Sequence, residues 1–154
     1  MSALLMAPSE CFSEQIKKGE VVPAFALTDL EGKQVTLEQI LNGKKAVLIN
    51  FWATWCPSCR REIPQLMELE KKWQAESFSV VGIDVGESPE KVRSYKDKNG
   101  ITYPILLDGE SKTSGHYGVV GLPMSFLLDS KGRLIGQYHE YSDELAADVE
   151  KTLT

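Results

Sequence analysis

The chain has 154 residues, 42% hydrophobic and 25% charged, with a formal net charge of −5. That size and balance suit one globular domain and exclude extensive disorder. An acidic chain with no basic run is a poor partner for nucleic acid or an anionic membrane, and no apolar run reaches the roughly 18 residues that span a bilayer.

Residues 1–8 are mildly apolar but contain no Lys or Arg. The stretch is shorter than a secretory h-region and has no clear small-x-small cleavage site, so it is not a complete export signal. These residues do not decide between a cytoplasmic start and a chain whose signal has been removed. Glu10 just before Cys11 argues against lipidation of that cysteine. Cys11 is most simply a spare thiol in a leader over residues 1–20.

From residue 21 to residue 154, strand and helix signals alternate without a linker, the pattern of one α/β domain. Residues 25–28 and 33–36 flank Asp29-Leu30-Glu31-Gly32 and read as a hairpin. Residues 37–41 suit a short helix stopped by Asn42-Gly43. Residues 46–52 (AVLINFW) are apolar except for Asn50, as in a central strand covered on both faces. A helix is predicted over 57–75 and a second buried strand over 78–85. Ser88-Pro89-Glu90 opens a helix that runs to about Lys98 and stops at Asn99-Gly100, with Ser88 as N-cap and Pro89 at the first helical position. Asp84 and Glu87 stand at a strand end that would flank a groove, and read mainly as the start of that helix. Strands follow at 104–107 and 124–128. Ser130-Lys131-Gly132 turns the latter into 133–138, and a last helix is predicted over 143–153.

The chemistry concentrates at Trp55-Cys56-Pro57-Ser58-Cys59, which follows a buried strand and opens a helix. Two cysteines three positions apart face each other across one turn and can close or open a small disulfide ring. Free backbone N–H groups and the positive end of the helix dipole favour a thiolate at Cys56. A thiolate at neutral pH attacks disulfides. Cys59, Ile63, Leu66, Leu69 and Trp73 share one helical stripe, so Cys59 should face inward and Cys56 should remain accessible. That makes Cys56 the nucleophile and Cys59 the resolving thiol. Half of a zinc site is the poorer reading, because there is no second CxxC and His116 and His139 are isolated. A static disulfide is the other alternative, disfavoured by the strand–CxxC–helix context.

With these segments in view, the chain resembles the thioredoxin superfamily, and within it the TlpA/ResA-like thiol–disulfide oxidoreductases. The resemblance is carried by VLINFWATWCPSCRREIP at 47–64, by Gly121-Leu122-Pro123, by Phe126-Leu127-Leu128-Asp129, and by PAFALTDLEGK at 23–33. It implies a thioredoxin-like fold, a central mixed β-sheet flanked by helices, with an added N-terminal β-hairpin. It implies that Pro123 is a cis-proline beside the disulfide, exposing the backbone of Leu122 for strand-like pairing with an extended substrate; an ordinary turn proline is the alternative. Trp55 would shield the nucleophile, or simply pack, and Pro57 lies in the same substrate-facing motif. Pro64 would kink the helix, as its missing N–H also predicts.

Thioredoxin places an aspartate on the strand under the cysteines, where this chain has the non-titrating Asn50. Glu62 instead matches a glutamate of the TlpA/ResA-like branch. It heads the stripe Glu62, Leu66, Leu69, Trp73, so burial should raise its pKa toward neutrality and suit it to acid–base work on Cys59. The alternative is a first-turn acid that stabilises the helix dipole.

The expected function is thiol–disulfide exchange with protein disulfides or dithiols, without cofactor or metal. The resemblance further implies a reductase outside the cytoplasm, in the periplasm or cell envelope, as in cytochrome c maturation, fed by a membrane thiol–disulfide reductant. An exposed single-pair site needs only a monomer. Two other functions compete. Peroxiredoxins share a similar leader, but they need a Thr three residues before the peroxidatic cysteine and a Pro four before that; here those positions are Ala53 and Ile49. A non-catalytic metal or thiol carrier of this fold usually has wider cysteine spacing and a paired histidine, and neither is evident.

Overall fold

A computed structural model describes residues 15–154; Cys11 and residues 1–14 of the expected leader lie outside the described residues. The centre is β3 (Ala46–Trp52), buried at every position. A strand with no polar face except Asn50 is stable only with layers on both sides. β4 (Phe78–Val85) pairs with it in parallel, Ala46 against Phe78 through Trp52 against Asp84. β5 (Ile105–Asp108) continues the parallel pairing on β4. On the other side β6 (Met124–Asp129) runs antiparallel to β3, and β7 (Leu134–Tyr138) antiparallel to β6. The expected N-terminal hairpin forms as β1 (Ala26–Asp29) and β2 (Gln34–Thr36), and β1 docks antiparallel on β5. The result is one seven-stranded mixed sheet in the order β2-β1-β5-β4-β3-β6-β7.

Two hydrophobic clusters cover the faces. One joins Cys59, Ile63, Leu66 and Leu69 of α2 (Pro57–Trp73) to Val92 of α3 (Pro89–Asn99) and to Leu145, Val149 and Leu153 of the C-terminal helix (Asp143–Leu153). The other joins Leu37 of α1 (Leu37–Leu41) to Phe51, Tyr117 and Phe126. α1 starts on a capping box, with Thr36 Oγ1 accepting the Gln39 N–H and the Gln39 side chain accepting the Thr36 N–H. α2 passes through Pro64 without ending and is followed by a 3-10 turn at Gln74–Glu76, which completes the helix expected to residue 75. Ser88 caps α3 and Gly100, at φ 61°, closes it in the left-handed region that favours glycine.

One element was not expected from the sequence. α4 (Lys112–His116) is a single short helix, and the C-terminal helix is therefore α5. Its sequence, KTSGH, offers no apolar periodicity. It is held instead by Asp108 at the end of β5, whose carboxylate oxygens accept the N–H groups of Thr113 at 3.3 Å and Ser114 at 2.8 Å.

At the start of the described chain, Val22 N–H donates to Gly132 O, and Glu20 O accepts the Leu134 N–H. Among the described residues, no helix is long and apolar enough to cross a membrane.

Candidate active site

The C-terminal end of β3 runs directly into the start of α2, so the central strand delivers Cys56 to a helix N-terminus. Cys56 is the N-cap, and its Sγ accepts the Cys59 N–H at 3.3 Å. Pro57 occupies the first helical position, where a missing N–H is least harmful. Cys56 and Cys59 form a disulfide with their Cα atoms 5.2 Å apart.

Cys59 is 1% exposed and faces inward as the helical stripe requires. Cys56 does not remain accessible as expected: it is only 4% exposed. Two constraints account for the difference. The Cys56 N–H donates to Ala53 O, a turn that folds the residue back, and the bond to an inward cysteine draws its sulfur into the same cluster as Trp52 and Ile63. The large apolar group exposed at this edge is Trp55, 62% accessible.

Beneath the helix start, Glu62 is 3% exposed. The Asn50 amide donates to Glu62 Oε1 at 2.6 Å and to Ser125 Oγ at 2.8 Å. Burial pushes the Glu62 carboxyl up to about 7; the bonds from Asn50 and from the Tyr141 backbone oppose this, and the charge of Glu140 adds to it. A buried carboxyl poised near neutrality sits one helical turn from Cys59, on the same stripe.

Of the four residues expected to face substrate, Trp55, Leu122 and Pro123 line two grooves that meet at Gly121 and Leu122. One is lined by Trp55, Val85, Val119, Val120, Gly121 and Leu122, with Val120 90% exposed at its rim. The other is more polar and includes Pro123, His139, Glu140 and Glu144. The Leu122–Pro123 peptide is cis, in agreement with the resemblance, and Pro123 is buried. Pro57 is exposed at the helix start and lines neither groove.

Thr54, two residues before Cys56, is held at three atoms. Its N–H and its hydroxyl donate to the two carboxylate oxygens of Glu87, each at 2.6 Å, and its carbonyl accepts Arg60 Nε at 2.7 Å. Sequence reasoning missed this use of Glu87, because the contact spans 33 positions. The available signal was the acidic residue just past a buried strand, Val85-Gly86-Glu87, beside the strand that ends at the cysteines.

A profile of the AhpC/TSA family matches residues 18–137. The thiol–disulfide oxidoreductase ResA of Bacillus thuringiensis (strain Al Hakam) is 36% identical over 124 residues, which are 80% of this chain and 70% of that protein. ResA of Bacillus subtilis (strain 168) is 32% identical over 122 residues, 79% of this chain and 67% of that one. Among solved structures, the thioredoxin domain of a thiol–disulfide oxidoreductase from Bacteroides vulgatus superposes with a TM-score of 0.81 at 26% identity, covering 91% of this chain and 100% of that domain. A thiol:disulfide interchange protein of the thioredoxin family from Chlorobium tepidum gives 0.75 at 32% identity, covering 90% and 99%.

Proposed function

The chain belongs to the AhpC/TSA family and is a ResA-like thiol–disulfide oxidoreductase of thioredoxin fold, and on that premise we propose that it works as a reductase of protein disulfides with Cys56 as the attacking sulfur. The observation that carries this reading is the Cys56–Cys59 disulfide at the head of α2, above the buried Glu62.

In the reduced protein the Cys56 thiolate attacks one sulfur of a partner disulfide. The partner's S–S bond breaks, a mixed disulfide forms, and one partner sulfur leaves as a thiolate that takes up a proton. Cys59 then gives its proton to the Glu62 carboxylate and attacks Cys56 Sγ. The second partner sulfur leaves, the Cys56–Cys59 disulfide closes, and two electrons have passed to the partner. An upstream dithiol must return them. By its likeness to the ResA proteins, that donor is a membrane thiol–disulfide reductant outside the cytoplasm, and disulfides of proteins that take up haem, as in cytochrome c maturation, are the proposed class of substrate. Substrate docks in the apolar groove of Trp55, Val120 and Leu122. One copy of the chain suffices, since both cysteines, Glu62 and the groove lie on it.

The Cys59→Ser variant tests the division of labour. It should still attack insulin disulfides but stall, leaving a covalent insulin adduct on Cys56 that a non-reducing gel and mass spectrometry detect. An adduct on neither sulfur, or full turnover, would contradict the assignment.

Glu62→Gln removes the proton acceptor while keeping the shape. Resolution of the mixed disulfide should slow on the order of 10²-fold near neutral pH, a typical share for general acid–base catalysis. Stability reports the same group independently. Glu62 holds its proton more tightly folded than unfolded, so its stabilising contribution is complete below about 4.5 and is lost as pH rises through about 7. At about 1.4 kcal/mol for each tenfold change in proton affinity, the wild type should lose roughly 3 kcal/mol over that window. The Glu62→Gln variant should lack that slope in pH-dependent denaturation; parallel curves would return Glu62 to a passive role.

A further inference from the structure

Asp84 is fully buried on β4, in register with Trp52 of β3. Neither of its carboxyl oxygens has a well-formed hydrogen bond, and the one N–H directed at it is the backbone N–H of Glu87. Its polar neighbour is the Glu87 carboxyl, and the charged group beyond is Lys91. Both oxygens of Glu87 already accept from Thr54, and Glu87 Oε2 also meets Lys91 Nζ at 3.1 Å. Two adjoining carboxyls, one saturated with donors and the other fully buried with a single weak backbone donor, are compatible only if the second carries a proton. Asp84 is therefore the protonated member and the donor to Glu87.

We propose that Asp84 and Glu87 are positioning residues for Cys56: Glu87, oriented by the proton on Asp84, fixes Thr54 and so sets how the sulfur two residues on is presented to a partner disulfide. The proposal rests on the reading of Cys56 as the attacking sulfur. The three held atoms of Thr54 leave the turn from Ala53 to Cys56 little freedom. Arg60 secures the other end of the same residue through its carbonyl and stands over the ring of Tyr95, 5.8 Å from its centroid. The opposite states of the pair agree with the geometry. Burial pushes Asp84 up to about 9, the side-chain bond and charge of Glu87 add to this, and the Glu87 backbone N–H and the charge of Lys91 oppose it only in part. Burial also pushes on Glu87, but the bonds from Asp84, Thr54 and Lys91 outweigh it and hold Glu87 at about 2. Ionisation of Asp84 would remove the donor and set two negative charges against each other, freeing Thr54.

The test measures the rate at which the reduced protein attacks a small aromatic disulfide between pH 6 and 11, with mass spectrometry locating the modified cysteine. The wild-type rate should fall several-fold above pH 9. Asp84→Asn, a permanently neutral donor, should keep its rate across that range. Asp84→Leu and Glu87→Gln should each be slowed about tenfold at neutral pH, with Asp84→Asn recovering most of the loss seen in Asp84→Leu. Carboxyl carbon NMR of the wild type should show Asp84 still protonated at pH 7, a readout that needs no variant. Titration of Asp84 near its ordinary value, or an alkaline fall that survives in Asp84→Asn, would overturn the proposal. Modification of Cys59 in place of Cys56 would instead overturn the assignment of the attacking sulfur.

Discussion

Replacing Cys56 by Ser should drop insulin-disulfide reduction to the uncatalysed background. The reason lies in the reacting atom. Exchange requires an anionic sulfur, and a serine hydroxyl at the same place neither ionises at neutral pH nor attacks a disulfide. Cys59 cannot substitute. It lies on the core-facing stripe with Ile63 and Leu66, while Cys56 caps the helix beside Trp55, the edge at which substrate must arrive. The loss should therefore be complete, unlike the partial losses expected for Glu62 and Glu87, which only prepare or aim the sulfurs. Turbidity on insulin-chain precipitation measures it, with circular dichroism to show that the variant is folded. Appreciable turnover by a folded Cys56→Ser protein would move the nucleophile elsewhere and undo the mechanism.

The largest loss of stability is expected from the opposite face of the sheet. Phe126 on β6 is fully buried and stands opposite Ile49 of β3. Its ring meets Phe51 at 5.7 Å and 84° and Tyr117 at 5.2 Å and 88°, both edge-to-face. Phe126→Ala should cost about 3–5 kcal/mol, from the lost transfer energy and from a cavity that β6 and its two neighbouring strands, β3 and β7, have little freedom to fill. Against a usual total of roughly 5–15 kcal/mol, that is a large fraction of the fold's stability. It corresponds to a fall of roughly 10 °C in thermal midpoint for a chain of this size. Denaturant titration of the oxidised protein measures it. A change below about 1 kcal/mol would mean that the cluster relaxes freely, against the packing described.

The parts of the molecule that were legible in its sequence are those written in local periodicity. The run 46–52 marked the central strand because every position is apolar or, at Asn50, paired beneath the helix. The spacing Cys59, Glu62, Ile63, Leu66 placed a carboxyl on a core-facing stripe, and Glu62 is buried accordingly. Ser88-Pro89 marked a helix start because cap and proline act within one turn. What stayed hidden depends on partners far along the chain. Glu87 reads locally as a preface to α3, and its grip on Thr54 comes only from the parallel pairing of β3 and β4. α4 is stabilised by the Asp108 carboxylate more than by its own composition. The burial of Cys56 reflects its bond to Cys59 and the turn at Ala53, which helical phase alone does not describe.

The sulfur of Cys56 is also the cap that accepts the Cys59 N–H. A charged acceptor binds such a donor more strongly than a neutral one. Electron storage and the winding of the first turn of α2 are thus two sides of one equilibrium, and linkage makes the influence mutual. A client that pries this turn apart on arrival weakens the grip on the anion and drives the protein to surrender its electrons while the client is seated.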